Sequence, residues 1–416
     1  MENCTQNILR FSRRQWQDIL VGTMLGVAFS FSTYQRAELI PPIVFEGKFL
    51  DIWFESDCPR VYRMMTDREG DHSRAKVHPL FALIAFPPVY FLKKIFSINP
   101  ITAVRLVESG AAFLWMLAFF TLLRLMGCRR PDTALLSLLA AVSAAGMFFF
   151  VIPETYPLGS LSLLVAFLIL AVSQQRVLKP LWYVLMNAGT LSITTSNWMA
   201  GILVTMANHP WRRVLKIMGG TLLLAAALWA VEKLIFPSTG FFLNLAKEKN
   251  FLFRPEMGGP LHVLRSFFYH TLVMPAIAFN TDVTVPDWKG MITQPSAPGS
   301  ASPWGVAAVL LWTLLLSLGV WAMFCSQTNV KFRVVLGLLL LGQLGFHLFY
   351  GFETFLYSLH FIVLLVPLVA FCFLTRFRIF AVGILLLLIP CVAVNNSLQF
   401  VRAVDFIEQY YGTHRD

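Results

Sequence analysis

The sequence has little charge: 13% of its 416 residues are Asp, Glu, Lys or Arg, against about 25% in a soluble domain. With 57% hydrophobic residues, no water-soluble core could enclose the apolar surface, so a soluble globular fold is excluded. Cysteine is sparse as well. Cys4, Cys58, Cys128, Cys325, Cys372 and Cys391 lie far apart without CxxC spacing, which excludes a disulfide framework and a zinc knuckle. No small-residue cleavage site cleanly follows Arg10, Arg13 and Arg14, so the first apolar run reads as an uncleaved span rather than a secretory signal. An internal repeat, a basic stripe and an RNA-binding motif are also missing. The net charge of +11 sits in short clusters between apolar runs, which excludes a nucleic-acid partner and fits positively charged cytoplasmic turns.

What the chain does have is apolar runs near the roughly 20 residues that cross a bilayer. The first expected span is 17–35, preceded by the Arg cluster that places the N-terminus in the cytoplasm. Residues 79–97, broken by Pro87 and Pro88, read as an interfacial helix. Further spans are expected at 102–126, 132–152, 157–173, 181–195, 197–208, 214–236, 304–325, 334–350, 358–375 and 379–395, about eleven crossings in all. Every cytoplasmic turn then carries Lys or Arg. The spans 181–195 and 197–208 form a short hairpin joined by Thr194, Thr195, Ser196 and Asn197, tolerated only against protein or a wet cavity. The expected fold is therefore a single all-α polytopic membrane domain over 1–416. It has two large extracytoplasmic loops, 37–101 and 237–303, and the second ends in a flexible linker, Gln294 to Pro303.

The first loop holds eight of the 22 acidic residues between Ala37 and Val77. It reads Asp51, Glu55, Asp57, Arg60, Tyr62 and Arg63, then Asp67, Arg68, Glu69, Asp71, His72, Arg74, Lys76 and His78. Carboxylates can deprotonate a hydroxyl and Arg or Lys can clamp a phosphate, so these are the ingredients of phosphate-leaving-group chemistry. They are equally the composition of a solvated surface loop. A second acid, Glu154, lies between Pro153 and Pro157 at the outer end of a span, where it is either functional or part of an interfacial turn. Glu353, Tyr357 and His360 stand at the outer mouth of the last helices, lining a site or belonging to an aromatic belt. Lys247, Lys249, Arg254, His262 and Arg265 are spaced for an amphipathic helix that holds lipid phosphate or rests on headgroups. Asn395-Asn396-Ser397 matches a glycosylation sequon.

The first 175 residues resemble the GT-C class of glycosyltransferases, lipid-phosphosugar-dependent enzymes that include protein O-mannosyltransferases and the lipid A aminoarabinose transferase. The residues that carry the resemblance are Asp57 after the first span, Arg60 and Tyr62 shortly after it, His78-Pro79-Leu80 opening the next helix, and Arg105-Leu106. One Asp preceded by Ser56 stands in place of two adjacent acids, and a single Pro follows His78.

The resemblance implies a GT-C-like helical bundle and an inverting transfer from a polyprenyl-phosphate sugar to a hydroxyl on a glycan, lipid or protein. In it Asp57 would be the base and Glu154 the second carboxylate; Arg60, Arg74, Lys76 and His78 would hold the donor phosphate. Tyr62, Glu353, Tyr357 and His360 would contact substrate. No cofactor follows beyond a divalent cation, for which Asp57, Asp71, His72 and Glu154 are candidate ligands and several metals suit. The site would face outward from a plasma membrane, most simply a bacterial inner membrane, since no eukaryotic targeting signal is visible. A carrier of lipid-linked sugar or small solute, or an inactive scaffold of the same fold, are the rival readings. A carrier predicts ionisable residues near mid-membrane and repeated halves.

Overall fold

The computed structural model describes residues 2–46, 51–240, 252, 258–281, 288–299, 302–326 and 329–412. The chain begins with a long helix, α1 (Glu2–Glu38), followed by α2 (Ile43–Glu46), α3 (Cys58–Thr66), α4 (Phe81–Phe96), α5 (Pro100–Leu125) and α6 (Arg130–Val142). Next come α7 (Ala144–Phe148), α8 (Tyr156–Ser173), α9 (Pro180–Ile193), α10 (Trp198–Met206), α11 (Trp211–Ile235) and the short α12 (Pro260–Arg265). An antiparallel hairpin, β1 (Ala278–Thr281) with β2 (Lys289–Ile292), precedes α13 (Pro303–Cys325), α14 (Val330–His347), α15 (Ser358–Ala370) and α16 (Arg378–Gly412). Among the described residues that hairpin is the only sheet, and the protein is an all-α membrane protein.

Among the described residues seven helices are long and apolar enough to cross a membrane: α5, α8, α11, α13, α14, the stretch Thr354–Leu374 that contains α15, and α16. They match seven of the expected spans. The other four differ for physical reasons. α1 covers 17–35, but polar residues such as Asp18, Thr33 and Gln35 leave it outside those seven. The hairpin 181–208 divides into helices of 14 and 9 residues around a turn at Thr195–Asn197. The expected span 132–152 breaks at Ser143, where the backbone is extended at ψ 156° and the hydroxyl caps α7 through Gly146 N–H at 3.0 Å. A Cβ on Gly146 would lie 2.6 Å from the Ala140 carbonyl, so only glycine fits this crossing.

A backbone break inside a membrane protein must find other partners. Here Ala144 and Ala145 donate to the carbonyls of Leu272 and Thr271 at 3.0 and 3.1 Å. Asn396 of α16 donates to the Val142 and Leu272 carbonyls, both at 2.9 Å, and accepts from Met274 N–H at 2.8 Å. Asn395 is fully buried and bonds the Met274 carbonyl at 2.8 Å, so the sequon is part of this internal brace rather than an exposed acceptor. The expected linker at 294–303 is held at its described ends. Thr293 and Gln294 are buried, Ser296 donates to Ala276, and Ser302 caps α13 through Gly305 N–H at 3.0 Å. Lys247, Lys249 and Arg254 lie outside the described residues, and His262 and Arg265 belong to a six-residue helix too short to be the expected amphipathic one.

α1 and α5 run antiparallel in close contact, with Gly26 against Phe113 and Ser30 Oγ donating to the Ser109 carbonyl at 2.7 Å. At one end Asp18 binds Arg124 and Arg130 at 2.9 and 2.6 Å, and nearby Asp132 takes a two-point contact from Arg378 at 2.7 Å. At the other end Arg105 donates to the Ile40 carbonyl at 2.8 Å. The rise from Arg105 to Arg124, about 28 Å at ~1.5 Å per residue, approximates one hydrocarbon thickness. α15 is the central post, its span almost wholly buried, whereas most of α11 faces away from the packed interior.

Candidate active site

The candidate site is built on the turn 51–57. Asp51, Phe54 and Glu55 adopt left-handed backbone conformations at φ 62°, 49° and 61°. For non-glycine residues each costs about 1–3 kcal/mol and needs surroundings that impose it. Those surroundings are present: Trp53 is fully buried with Nε1 donating to the Phe148 carbonyl at 3.0 Å, and Phe54 meets Phe148 and Phe355 edge-on. Met291 N–H of β2 also donates to the Ile52 carbonyl at 3.0 Å. Trp53 and Phe54 thus plug the turn into the bundle and fix the chain that carries the acids.

Asp57, at the head of α3, does not cap that helix with its side chain. One carboxylate oxygen takes Arg60 at 2.7 Å and the other takes Arg74, which stands on the turn Ser73–Lys76. Its backbone N–H donates to Glu154 Oε2 at 3.0 Å, while Glu154 Oε1 accepts from Thr155 N–H at 2.7 Å. Burial, and then the neighbouring Asp57 charge, push the Glu154 carboxyl up. Burial, reinforced by Asp57, likewise raises Asp51 to about 7, and burial with Asp51 and Glu353 nearby raises Glu55 to about 8. Loop chain and span ends therefore gather Asp51, Asp57 and Glu154 around two guanidinia, with Glu55 and Glu353 beside them.

Beside this cluster opens a cavity of about 160 Å³ lined by Arg74, Val77, His78, Tyr156, Thr194, Thr195, Ser196, Phe346, Tyr350 and Tyr357. Its walls come from the first loop, the start of α8, the α9–α10 turn, α14 and the start of the last buried span. Tyr156 and Tyr357 meet at 5.2 Å between ring centroids, and His347 tilts onto Tyr357 at 4.3 Å. His360 sits one layer beneath, its ring 5.4 Å from Tyr156 and its Nε2 3.5 Å from Asn197 Nδ2.

Of the residues expected from sequence, Asp57, Arg60, Arg74 and Glu154 meet as one cluster, and His78 and Tyr357 line the adjoining cavity. Lys76 shares the turn of Arg74 but lines no wall of the cavity. Tyr62 packs edge-on against Phe45 at 6.1 Å, away from the cavity. Glu353 is beside the acids, yet its oxygens accept from Thr293 N–H and Oγ1 and from Gln294 N–H at 2.8, 2.6 and 2.9 Å, so it anchors the segment after β2. His72 turns toward the end of α11, with Nε2 3.0 Å from the Asp67 carbonyl and its ring 4.5 Å from Phe236. Among the described residues no group of three or more His, Cys, Asp or Glu is placed to hold a metal ion, so Asp57, Asp71, His72 and Glu154 do not converge as one ligand set.

Sequence reading missed Tyr156, His347 and Glu108. Glu108 is buried in α5. An acid inside the apolar run 102–126 was the signal that could have found it. No model of a known protein family matches the chain, and no curated protein or solved structure matches it.

Proposed function

We propose that the protein is an inverting glycosyltransferase of GT-C type, moving a sugar from a polyprenyl phosphate to a hydroxyl acceptor. One arrangement carries this reading: Asp57 bound by Arg60 and Arg74, with Arg74 also lining a small aromatic cavity. At ~30 Å³ per water the cavity has room for about five waters, the scale of one monosaccharide ring. A donor phosphate entering beside it would draw the Arg74 guanidinium from Asp57. That exchange frees a carboxylate oxygen at the moment a base is needed.

Asp57 then takes the proton of the acceptor hydroxyl. The hydroxyl oxygen bonds to the anomeric carbon from the face opposite the phosphate, and the carbon–oxygen bond to phosphate breaks. Polyprenyl phosphate leaves with the electron pair, its charge met by Arg74, Arg60 and His78. Glu154 holds the Asp57 backbone, and Tyr156 and Tyr357 offer faces to the sugar. The active face is extracytoplasmic in a bacterial inner membrane and the N-terminus cytoplasmic. The arginine collar around Asp18 and Asp132 at the opposite end supports this orientation.

A carrier is the second reading, and Glu108, His347 and His360, buried within candidate spans, are the observation that favours it. The deciding experiment incubates purified protein with a panel of radiolabelled polyprenyl-phosphate sugars and compares wild type with Asp57→Asn, both verified as folded. Transfer or donor hydrolysis lost in the variant supports the transferase. Silence across the panel, together with uptake of lipid-linked sugar into proteoliposomes, supports the carrier.

A further inference from the structure

Glu232 is a fully buried acid on α11, with no role in the chemistry above. Its Oε2 accepts the backbone N–H of Leu80 at 2.8 Å, 152 residues away in sequence, and its Oε1 has no partner among the described residues. No cation neutralises it among the described residues. Neighbouring Lys233 turns instead to the carbonyls of Pro237 and Thr239. A carboxyl kept in an apolar span without a counterion is costly, and an alanine there would be cheaper unless the group has work to do.

That work is visible at the other end of the bond. Leu80 sits in the left-handed region at φ 66° and ψ 5°, a conformation leucine rarely adopts. It lies at the head of α4, so its N–H has no helical acceptor. Two residues earlier His78 enters the cavity, and His78 N–H bonds the carbonyl of Arg74 at 3.0 Å. The end of α11 holds the rest of this loop as well: Arg68 donates to the Ile235 carbonyl at 2.8 Å, and Ser238 bridges the Gly70 carbonyl and His72 N–H at 2.5 and 3.0 Å. Among the described residues, the contact from Glu232 is the one from α11 that reaches the strained residue beside the site.

We propose that Glu232 is a positioning residue: by accepting the Leu80 N–H it holds the His78-Pro79-Leu80 turn in its left-handed form and so places His78 and Arg74 for the donor phosphate. The effect on turnover rests on the transferase reading, whereas the effect on the turn does not. An acceptor oxygen is what the turn requires, so Glu232→Gln retains the function and Glu232→Ala loses it.

Full-length protein in detergent is compared as wild type, Glu232→Gln, Glu232→Ala, His78→Ala and the Glu232→Ala/His78→Ala double variant. Hydrogen–deuterium exchange over the peptide containing residues 77–83 is expected to speed up in Glu232→Ala alone of the two Glu232 variants. For donor transfer, Glu232→Ala should raise KM roughly ten- to a hundred-fold with a smaller change in kcat, the scale of a misplaced binding group. Adding Glu232→Ala to His78→Ala should cost little more. Unchanged exchange in Glu232→Ala, a Glu232→Gln variant as impaired as Glu232→Ala, or fully multiplicative effects with His78→Ala would each overturn the proposal. If the wild type turns over no donor, the transferase reading falls and the exchange result alone decides the role of Glu232.

Discussion

The backbone N–H of Asp57 donates to the Glu154 carboxylate at 3.0 Å, joining two acids 97 residues apart in sequence. Glu154 thus orients the chain at Asp57 while both side-chain oxygens of Asp57 are engaged by Arg60 and Arg74. On the proposed mechanism the two acids are unequal. Asp57→Asn leaves both guanidinia without their counterion and removes the base, and transfer is expected to fall by about 10²–10⁴. Glu154→Gln keeps an oxygen for the Asp57 N–H and should lose less. The measurement is kcat for both variants with the best donor; equal losses would sink the division of roles.

Stability should depend on pH through the turn 51–57. Asp51 is raised from 3.8 to about 7 and Glu55 from 4.5 to about 8, chiefly by burial. Because the folded state holds these protons more tightly than the unfolded chain, the contribution is complete below about pH 4 and is lost as pH rises toward 7 and 8. Thermal unfolding in detergent is therefore expected to show a falling Tm between pH 5 and 9. In Asp51→Asn/Glu55→Gln that slope should flatten, and a slope left unchanged by the double substitution would refute the assignment.

Much of this protein is legible in its sequence where information is local. Seven expected spans coincide with apolar helices because an uninterrupted run of apolar residues decides both. Asp57, Arg60, Arg74 and His78 lie within one short stretch, and its density of charged and imidazole side chains marks it as a candidate site. What failed depended on distant partners. The break at Ser143 exists because Leu272, Thr271 and Asn396 receive the freed backbone groups, and nothing in 132–152 records them. Likewise the substrate role expected for Glu353 could not foresee that Thr293 and Gln294 occupy its oxygens. Glu108 and Glu232 were readable as acids within apolar runs, but the partner of Glu232 was not.

The same brace gives a stability prediction. Asn396→Ala removes two donors to the Val142 and Leu272 carbonyls and one acceptor for Met274 N–H. Buried groups left unpaired cost about 1–3 kcal/mol each, and partial relaxation should bring the total to about 2–5 kcal/mol. Asn396→Asp can keep the acceptor but not the donors, and should be comparably damaging. Denaturation in mixed micelles would test this; a loss below about 1 kcal/mol for alanine would show that the break is held by other contacts.

Gly159 lies beneath the cavity, and a Cβ there would stand 2.6 Å from His360 Nε2 and 3.0 Å from Thr194 Oγ1. Neither group can retreat easily. His360 is buried against Tyr156 and Asn197, and Thr194 lines the cavity itself. Gly159→Ala is therefore expected to push the His360–Tyr156 layer into the space assigned to the sugar and to lower transfer by roughly ten-fold or more. Gly110 on α5 is the matched control, because a Cβ there meets nothing within 4 Å. Gly110→Ala should leave turnover intact and raise stability by about 0.5–1 kcal/mol through helix propensity. Measuring KM, kcat and Tm for both variants separates a crowded site from a general cost of altering glycine. If Gly159→Ala transfers sugar like wild type, the sugar does not occupy this cavity.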